Sequence, residues 1–400
     1  MRILLLAWEF PPHMVGGLGK HVAELVPALA ARDVEVHVIT PRVVDAPAEE
    51  RIAPRAVVHR VACDAAPEDN LVALSRRVNL ALEQKGRELA ATRGPFDLIH
   101  GHDWLVAYSS VALKYALRVP LVVTVHSMEH GRVQGRLQSE QSLAINGTEW
   151  WLTQEAWRVI TVSRYMAGQV REQFGVPPDK LEVIPNGVAL PQRLLDAEER
   201  TRERARYAAP DEPIIYYVGR VVEEKGVQVL VDAAPRLLRK YPRLRFVVAG
   251  TGSYLAVVHQ RSASLGVADR FLFTGFLPDA DRDKLYQVAD VAVFPSLYEP
   301  FGIVALEAMA YSCPVVAAQT GGLAEVIQAH ETGILVVPGN PDSLAWGILH
   351  TLEHPQWTMQ RVANARRVIE EAYSWTSIAD KTIAAYRRAR ETWQVARRDW

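Results

Sequence analysis

Arg220 and Lys225 lie five positions apart in VGRVVEEKG, Val218 to Gly226, directly after the apolar run IIYYV. Arginine grips oxygens in a planar fork and lysine supplies a compact point charge. Such a pair beside a strand end suits a diphosphate. The plainer account makes both surface cations paired with Glu223 and Glu224. Glu299 and Glu307, eight positions apart in SLYEPFGIVALEAMA, form a pair of carboxylates. Glu299 falls in a loop after VAVFPS, Gly302 permits a tight turn, and Glu307 falls in the early turns of the helix that follows. A carboxylate accepts two hydrogen bonds at once, which suits sugar hydroxyls. Alone, the two would also pass for a capping Glu and a helix-face Glu.

MVGGLGK, Met14 to Lys20, separates the first apolar run from the helical pattern GKHVAELVPALAARD. Its glycines, Gly16, Gly17 and Gly19, admit a ligand close to the backbone, and the helix start offers free N–H groups and a positive dipole end to phosphate. Plain turn chemistry also fits. The spacing is not a dinucleotide fingerprint, and no GxxxxGK[ST] is present. His100, His102, Asp103, His126 and His130 gather in two strand-end segments, with 100 and 102 on one strand face. That spacing matches no zinc finger and no HExxH helix, so no metal is expected. Asp279, Asp281 and Asp283 read as acidic residues at a helix N-terminus. Trp150 and Trp157 fall on one helix face, as core packing or as a platform for an acceptor sugar, and Trp104 carries the same choice. The arginines of TRERAR (201–206) and RVANARR (361–367) read as solvated helix faces, with contact to anionic lipid as the alternative.

Thirteen β-rich runs alternate with helical stretches and position these residues: RILLLAW, EVHVIT, AVVHRVA, FDLIHGH, PLVVTVH, RVITVS and LEVIPN, then IIYYVGR, RFVVAG, FLFTGF, VAVFPS, PVVAAQ and ILVVP. Near-continuous apolar strands suit parallel sheets covered on both faces. Thirteen are too many for one open sheet, so an α/β chain of two doubly wound domains is expected. The charged, strand-free segment from Leu190 to Pro213 marks the junction. One domain spans 1–195 and the other 210–374, with a helix over 375–400 that is alone on the surface or crosses back onto the first domain. Ligands of such sheets bind beyond the carboxyl ends of the strands, where the singled-out residues fall.

The 400 residues carry 45 basic against 46 acidic side chains, a net of −1, which points to neither a duplex-binding surface nor disorder. Hydrophobic residues make up 49%, ordinary for a globular enzyme. Two cysteines, Cys63 and Cys313, make neither a disulfide framework nor a four-ligand zinc site, so a reduced cytoplasm is expected. MRILLLAWEFPP does not read as a secretory leader, since its apolar run is short and ends at Glu9. No transmembrane run is present, and peripheral membrane contact stays open.

Motifs in order along the chain carry a resemblance over nearly the whole chain. Glu299 and Glu307 in EPFGIVALE resemble the E-x7-E signature of retaining glycosyltransferases with the GT-B fold, two Rossmann-like domains facing a central cleft. GRVVEEKG resembles that family's donor-phosphate motif, AQTGGLAEVI the segment that follows, and IPNGV the end of the N-terminal domain. WEFPPHMVGGLGKHV, HGHDW and TVHSMEHGR resemble the glycogen-synthase branch of glycosyltransferase family 4. One feature departs: bacterial glycogen synthases of the starch type place a Lys before the paired glycines, where Met14 and Val15 stand here.

The resemblance implies that Arg220 and Lys225 hold the donor's diphosphate, Glu307 its ribose, and Glu299 a place beside the transferred sugar. Gly302 and Ile303 would hold sugar hydroxyls or phosphate through their backbone, and Gly17 and Leu18 the diphosphate. His126 would touch the sugar near the reacting carbon, Asn186 is a weaker candidate, and His102, Asp103 and Trp104 would line the acceptor side. It implies a retaining hexosyltransferase moving glucose from a UDP-, ADP- or GDP-sugar to an α-glucan or small glycoside. No bound metal or other cofactor, and no nucleic-acid partner, is expected. The alternatives are a GT-B sugar phosphorylase of the trehalose type, or transfer to maltose-1-phosphate, lipid or polysaccharide acceptors. A non-hydrolysing epimerase, a dehydrogenase and a sugar-binding module fit the motifs less well.

Overall fold

A computed structural model describes residues 1–43, 45–62 and 70–396, in which the chain divides into two compact units. Cys63 and the last four positions of the expected C-terminal helix lie outside the described residues. Among the described residues no helix is long and apolar enough to cross a membrane.

The first unit runs to Gly187 and includes the helix Trp375–Ala396. Its strands are β1 (Arg2–Leu6), β2 (Glu35–Arg42), β3 (Glu49–Ala53), β4 (Ala56–Ala62), β5 (Leu98–His102), β6 (Leu121–Val125), β7 (Arg158–Thr161) and β8 (Leu181–Val183). They lie in the order β3-β4-β2-β1-β5-β6-β7-β8, all parallel except the pair β3–β4. Ile3, Leu4, Leu5 and Leu6 are all fully buried, as a strand covered on both faces requires. Strand β3 is a fourteenth strand beyond the thirteen expected. Its sequence, EERIA, has no apolar run, because it forms by hairpin pairing at the sheet edge, with Glu49, Glu50 and Arg51 exposed. Charged edge residues also discourage pairing with another chain.

The helix Trp375–Ala396 is built into this unit. Ile378, Ala379, Ile383 and Tyr386 join the core that holds Val22, Leu25, Val26 and Leu29 of the helix Gly17–Ala30. Polar contacts pin it: the Tyr386 hydroxyl meets His100 Nδ1 at 2.7 Å, and Arg390 pairs with Asp97 at 2.7 Å. Trp157 serves this helix and not the one expected. The preceding helix, Glu140–Glu155, ends at an extended Ala156, so Trp150 and Trp157 share no helix face. Trp157 packs edge-on against Trp393 and donates its Nε1–H to Thr392 Oγ1 at 2.6 Å, while Trp150 is exposed.

The second unit, Val188–Ser374, holds β9 (Ile214–Val218), β10 (Arg245–Ala249), β11 (Phe271–Gly275), β12 (Val291–Phe294), β13 (Val315–Ala318) and β14 (Ile334–Val336). The order is β11-β10-β9-β12-β13-β14, wholly parallel. Strand order thus reverses beside β9, as it does beside β1 in the first unit, and each reversal opens a crevice where flanking loops diverge. The segment expected as a junction belongs to this unit. Val188 N–H donates to Tyr373 O at 2.9 Å and Leu195 N–H to Gln287 Oε1 at 2.7 Å. Asp196 and Glu199 form a capping box on the helix Ala197–Arg204. Nor are all arginines of TRERAR and RVANARR solvated: Arg204 bonds Val288 O and Asp290, and Arg361 is buried. Asp279 and Asp281 do occupy the first turn of a helix, Asp279–Val288.

Tyr386→Phe leaves the buried His100 Nδ1 without its partner. The expected loss is about 1–3 kcal/mol, read as a lower unfolding midpoint in urea.

Candidate functional site

In the second unit the loops after β9 and β12 are stitched together. The Glu224 carbonyl accepts the N–H groups of Leu297, at 2.8 Å, and Tyr298, at 3.1 Å. Gly226, at φ +72°, makes the approach possible, since a Cβ there would lie 2.0 Å from the Pro295 carbonyl oxygen. The loop after β13 joins through Gly322 N–H, which donates to Glu299 O at 2.8 Å. This clamp brings Lys225 Nζ to 2.7 Å from Glu299 Oε2, both largely enclosed. Arg220 stays half-exposed, 3.6 Å from Glu224 Oε1, so its guanidinium is available to an incoming anion. Gly302, at φ +101°, starts the helix Ile303–Ala310, and no side chain caps that helix. Its first N–H groups, Ile303's included, are therefore open to a ligand oxygen.

Glu307 is 3% exposed. Its Oε2 accepts from the Tyr286 hydroxyl at 3.3 Å and lies 3.8 Å from Arg282 Nε. Arg282 also pairs with Asp279 and Asp283, and these carboxylates raise its pKa against the opposing effect of burial. Tyr286 and Arg282 were not among the sequence candidates. Their signal was present, one helical turn apart in the segment before β12, but only the fold aims them at Glu307.

In the first unit, Glu9 forms the floor of the glycine loop. Its Oε2 accepts from Val15 N–H at 2.9 Å and Gly16 N–H at 3.0 Å. Gly17 and Leu18 open the helix Gly17–Ala30, which has no side-chain cap, so their N–H groups are the kind a phosphate oxygen takes. One turn on, His21 is buried; its Nδ1 lies 2.6 Å from Asn186 Oδ1. A carboxamide oxygen can only accept, so Nδ1 carries the proton and Nε2 the lone pair. Among the described residues that Nε2 is buried without a partner, and so is His102 Nε2. His102 Nδ1 meets His126 Nε2 at 3.0 Å. Behind them His100 is held by Thr124 and Tyr386. Burial lowers His21 to about 4 and His102 and His126 well below the usual range. The three imidazoles are neutral at pH 7 and act through directed hydrogen bonds. His21, His102 and His126 each offer a ring nitrogen within 4.8 Å of the others, a set that could close on a transition metal.

Asp103 and Trp104 are engaged within the unit. Asp103, at φ +60°, turns its carboxylate onto His126 N–H at 2.6 Å and so sets the loop that carries the imidazole. Trp104 is 4% exposed and packs with Val72 and Ile145, so it offers no stacking face. Arg132, not among the candidate residues, spans Glu129 and Glu149 at 2.9 Å each and braces the same loop.

Burial pushes Asp103 up to about 7, against the N–H bonds and Arg132 that favour its charge. Unfolded, the carboxyl ionises near 3.8. Folding therefore takes up a proton between these values. The group's contribution to stability is complete below about pH 4 and is lost as pH rises through about 7. Asp103→Asn keeps an acceptor for His126 and cannot titrate. Its unfolding midpoint is expected to fall less than the parent's between those limits, as measured by urea titration across pH.

The family model of glycosyl transferases group 1 matches residues 199–375, and that of glycosyltransferase family 4 matches residues 15–191. An uncharacterised glycosyltransferase of Methanocaldococcus jannaschii is 38% identical over 98% of this chain and 99% of its own. A glycogen synthase of Mycobacterium tuberculosis is 33% identical over 98% of this chain and 95% of its own. Sucrose-phosphate synthase of Thermosynechococcus elongatus superposes with a TM-score of 0.81 at 27% identity, covering 97% of this chain and 98% of that one. The chain belongs to the GT-B glycosyltransferases, in the family 4, glycogen-synthase-like branch.

Proposed function

We propose that this glycosyltransferase moves a hexose, glucose on the strength of its relatives, from a nucleotide-diphosphate sugar to an α-glucan or small glycoside with retention of configuration. The observation that carries the reading is the Lys225–Glu299 pair at 2.7 Å, set on stitched loops beside an uncapped helix start. In the transfer, the bond from the anomeric carbon to the diphosphate oxygen breaks and its electron pair stays on the diphosphate. The acceptor hydroxyl bonds to the same face of that carbon and gives its proton to the departing phosphate oxygen. Charge develops mainly on the diphosphate. Lys225, Arg220 and the open N–H groups at Ile303 are donors of the kind that stabilise it. Glu299 holds Lys225 in place before the donor arrives and then faces the sugar's hydroxyls.

In the first unit, Gly17 and Leu18 present N–H groups suited to the same diphosphate chemistry. His126 and the unpartnered nitrogens of His21 and His102 suit sugar hydroxyls, which both donate and accept. Glu307 binds ribose hydroxyls by sharing the oxygens that Tyr286 and Arg282 orient. No redox group and no metal is needed for this displacement.

The decisive assay is nucleoside-diphosphate release from UDP-, ADP- and GDP-glucose, with and without glycogen, maltose or glucose 1-phosphate. One donor answering to one acceptor is the expected result, with an axial product anomer by NMR. Release with no acceptor dependence, or an inverted anomer, contradicts the reading. Lys225→Ala should lower kcat by about 10²–10³ with the fold intact by circular dichroism. Turnover in EDTA should match that in magnesium; a loss restored by a divalent ion would implicate metal.

A further inference from the structure

Arg60 and Arg361 are each only 6% exposed. The burial of Arg60 is compensated: it pairs with Glu50 at 2.7 Å and donates to the carbonyls of Pro11 and Pro47. Arg361 is not compensated. Its one hydrogen bond among the described residues runs from Nη2 to Thr358 Oγ1 at 2.6 Å, and no carboxylate pairs with it there. Four of its five N–H donors are left over. Its Nε and Nη1, which have no protein partner among the described residues, reach solvent, and burial of the rest of the side chain pulls its pKa down.

These donors face a cavity of about 300 Å³ lined by His330, His350, Trp357, Gln360 and Arg361. The volume suits a small ligand. At its rim Trp357, 58% exposed, stacks on His354 with ring centroids 4.7 Å apart and planes 4° from parallel. Trp346, 44% exposed, stacks on His350 in the same way. Flat apolar faces so arranged can receive a ring, with Gln360 available to its polar substituents.

We propose that this cavity is a second ligand site, which takes a phosphomonoester carried on a ring, the phosphate on Arg361 and the ring against Trp357. It stands away from the transfer chemistry. The helix Pro341–Glu353 leaves the carboxyl end of β14 and runs back along the sheet, so its meeting with the helix Pro355–Ala372 and with His330, ahead of β14, falls at the amino end of the strands. The loops after β9 and β12 are at the other end. Occupancy would supply the missing counter-charge and lock the two helices, a binding event with no catalytic step.

The test is thermal unfolding of the full chain with millimolar inorganic phosphate, glucose 6-phosphate or AMP. Arg361→Met and Lys225→Ala are run beside the parent. All three probes should raise the parent's midpoint, and whichever ester acts at lower concentration than inorganic phosphate names the ring as sugar or nucleoside. Arg361→Met should weaken the apparent affinity about tenfold or more. Lys225→Ala, which disables the proposed donor grip, should keep the response. A response that survives in Arg361→Met, or that disappears in Lys225→Ala, overturns the proposal, as does a parent indifferent to all three. Should Arg361→Met not fold, the surface variant Trp357→Ala decides. It should lose the advantage of the ester over inorganic phosphate, and an unchanged advantage rejects the ring contact.

Discussion

Two backbone N–H groups, those of Leu297 and Tyr298, converge on the carbonyl of Glu224, and the second unit's chemistry hangs on that convergence. At a switch point the loops leave neighbouring strands in opposite directions, so nothing in the sheet itself holds them at a fixed separation. The carbonyl of Glu224 does so from inside the first loop, one residue before Lys225. The ion pair Lys225–Glu299 is then geometrically determined and not merely attractive. An exposed pair of free side chains would contribute little and wander. Two largely enclosed groups on clamped loops keep their place, and charge-stabilising groups must be in place before charge appears.

The first unit solves a different electrostatic problem. The sugar hydroxyls proposed for it carry no charge, and the imidazoles gathered there carry none either. Desolvation keeps His21, His100, His102 and His126 neutral, and each fixed hydrogen bond decides which nitrogen is left as a lone pair or donor. The half-buried Asp103 and the Arg132–Glu149 pair organise the backbone beneath them. In the proposed transfer, charge thus serves as scaffolding in one unit and faces an anion in the other.

Much of this was legible in the residues alone. Strands with unbroken apolar runs, such as RILLLAW and VAVFPS, announce burial on both faces. The E-x7-E spacing and the VGRVVEEKG loop sit where a parallel sheet delivers its ligands. Strand β3 was invisible because EERIA is held by a hairpin at an edge and hides nothing. Trp157 was misassigned because helical spacing continued past the point where Ala156 turns extended. Arg361 looked solvated in RVANARR because a run of like charges says nothing of which face of a helix the fold covers. His21 meets Asn186, and Arg282 reaches Glu307, across long stretches of chain, and no local pattern reports such a partner.

The helix Trp375–Ala396 completes a core whose other members precede Gly187. On the ribosome, the first unit to emerge is therefore the last able to finish. At a usual elongation rate, about 10–40 s separate the appearance of Gly187 from that of Trp375. During that interval the face of the helix Gly17–Ala30 that will receive Ile378 and Ile383 has no cover, while the second unit, contiguous in the chain, can close on its own. Vectorial synthesis and folding order run in opposite directions here, and a chain cut short before its last helix would carry a finished second unit and an open apolar wound in the first.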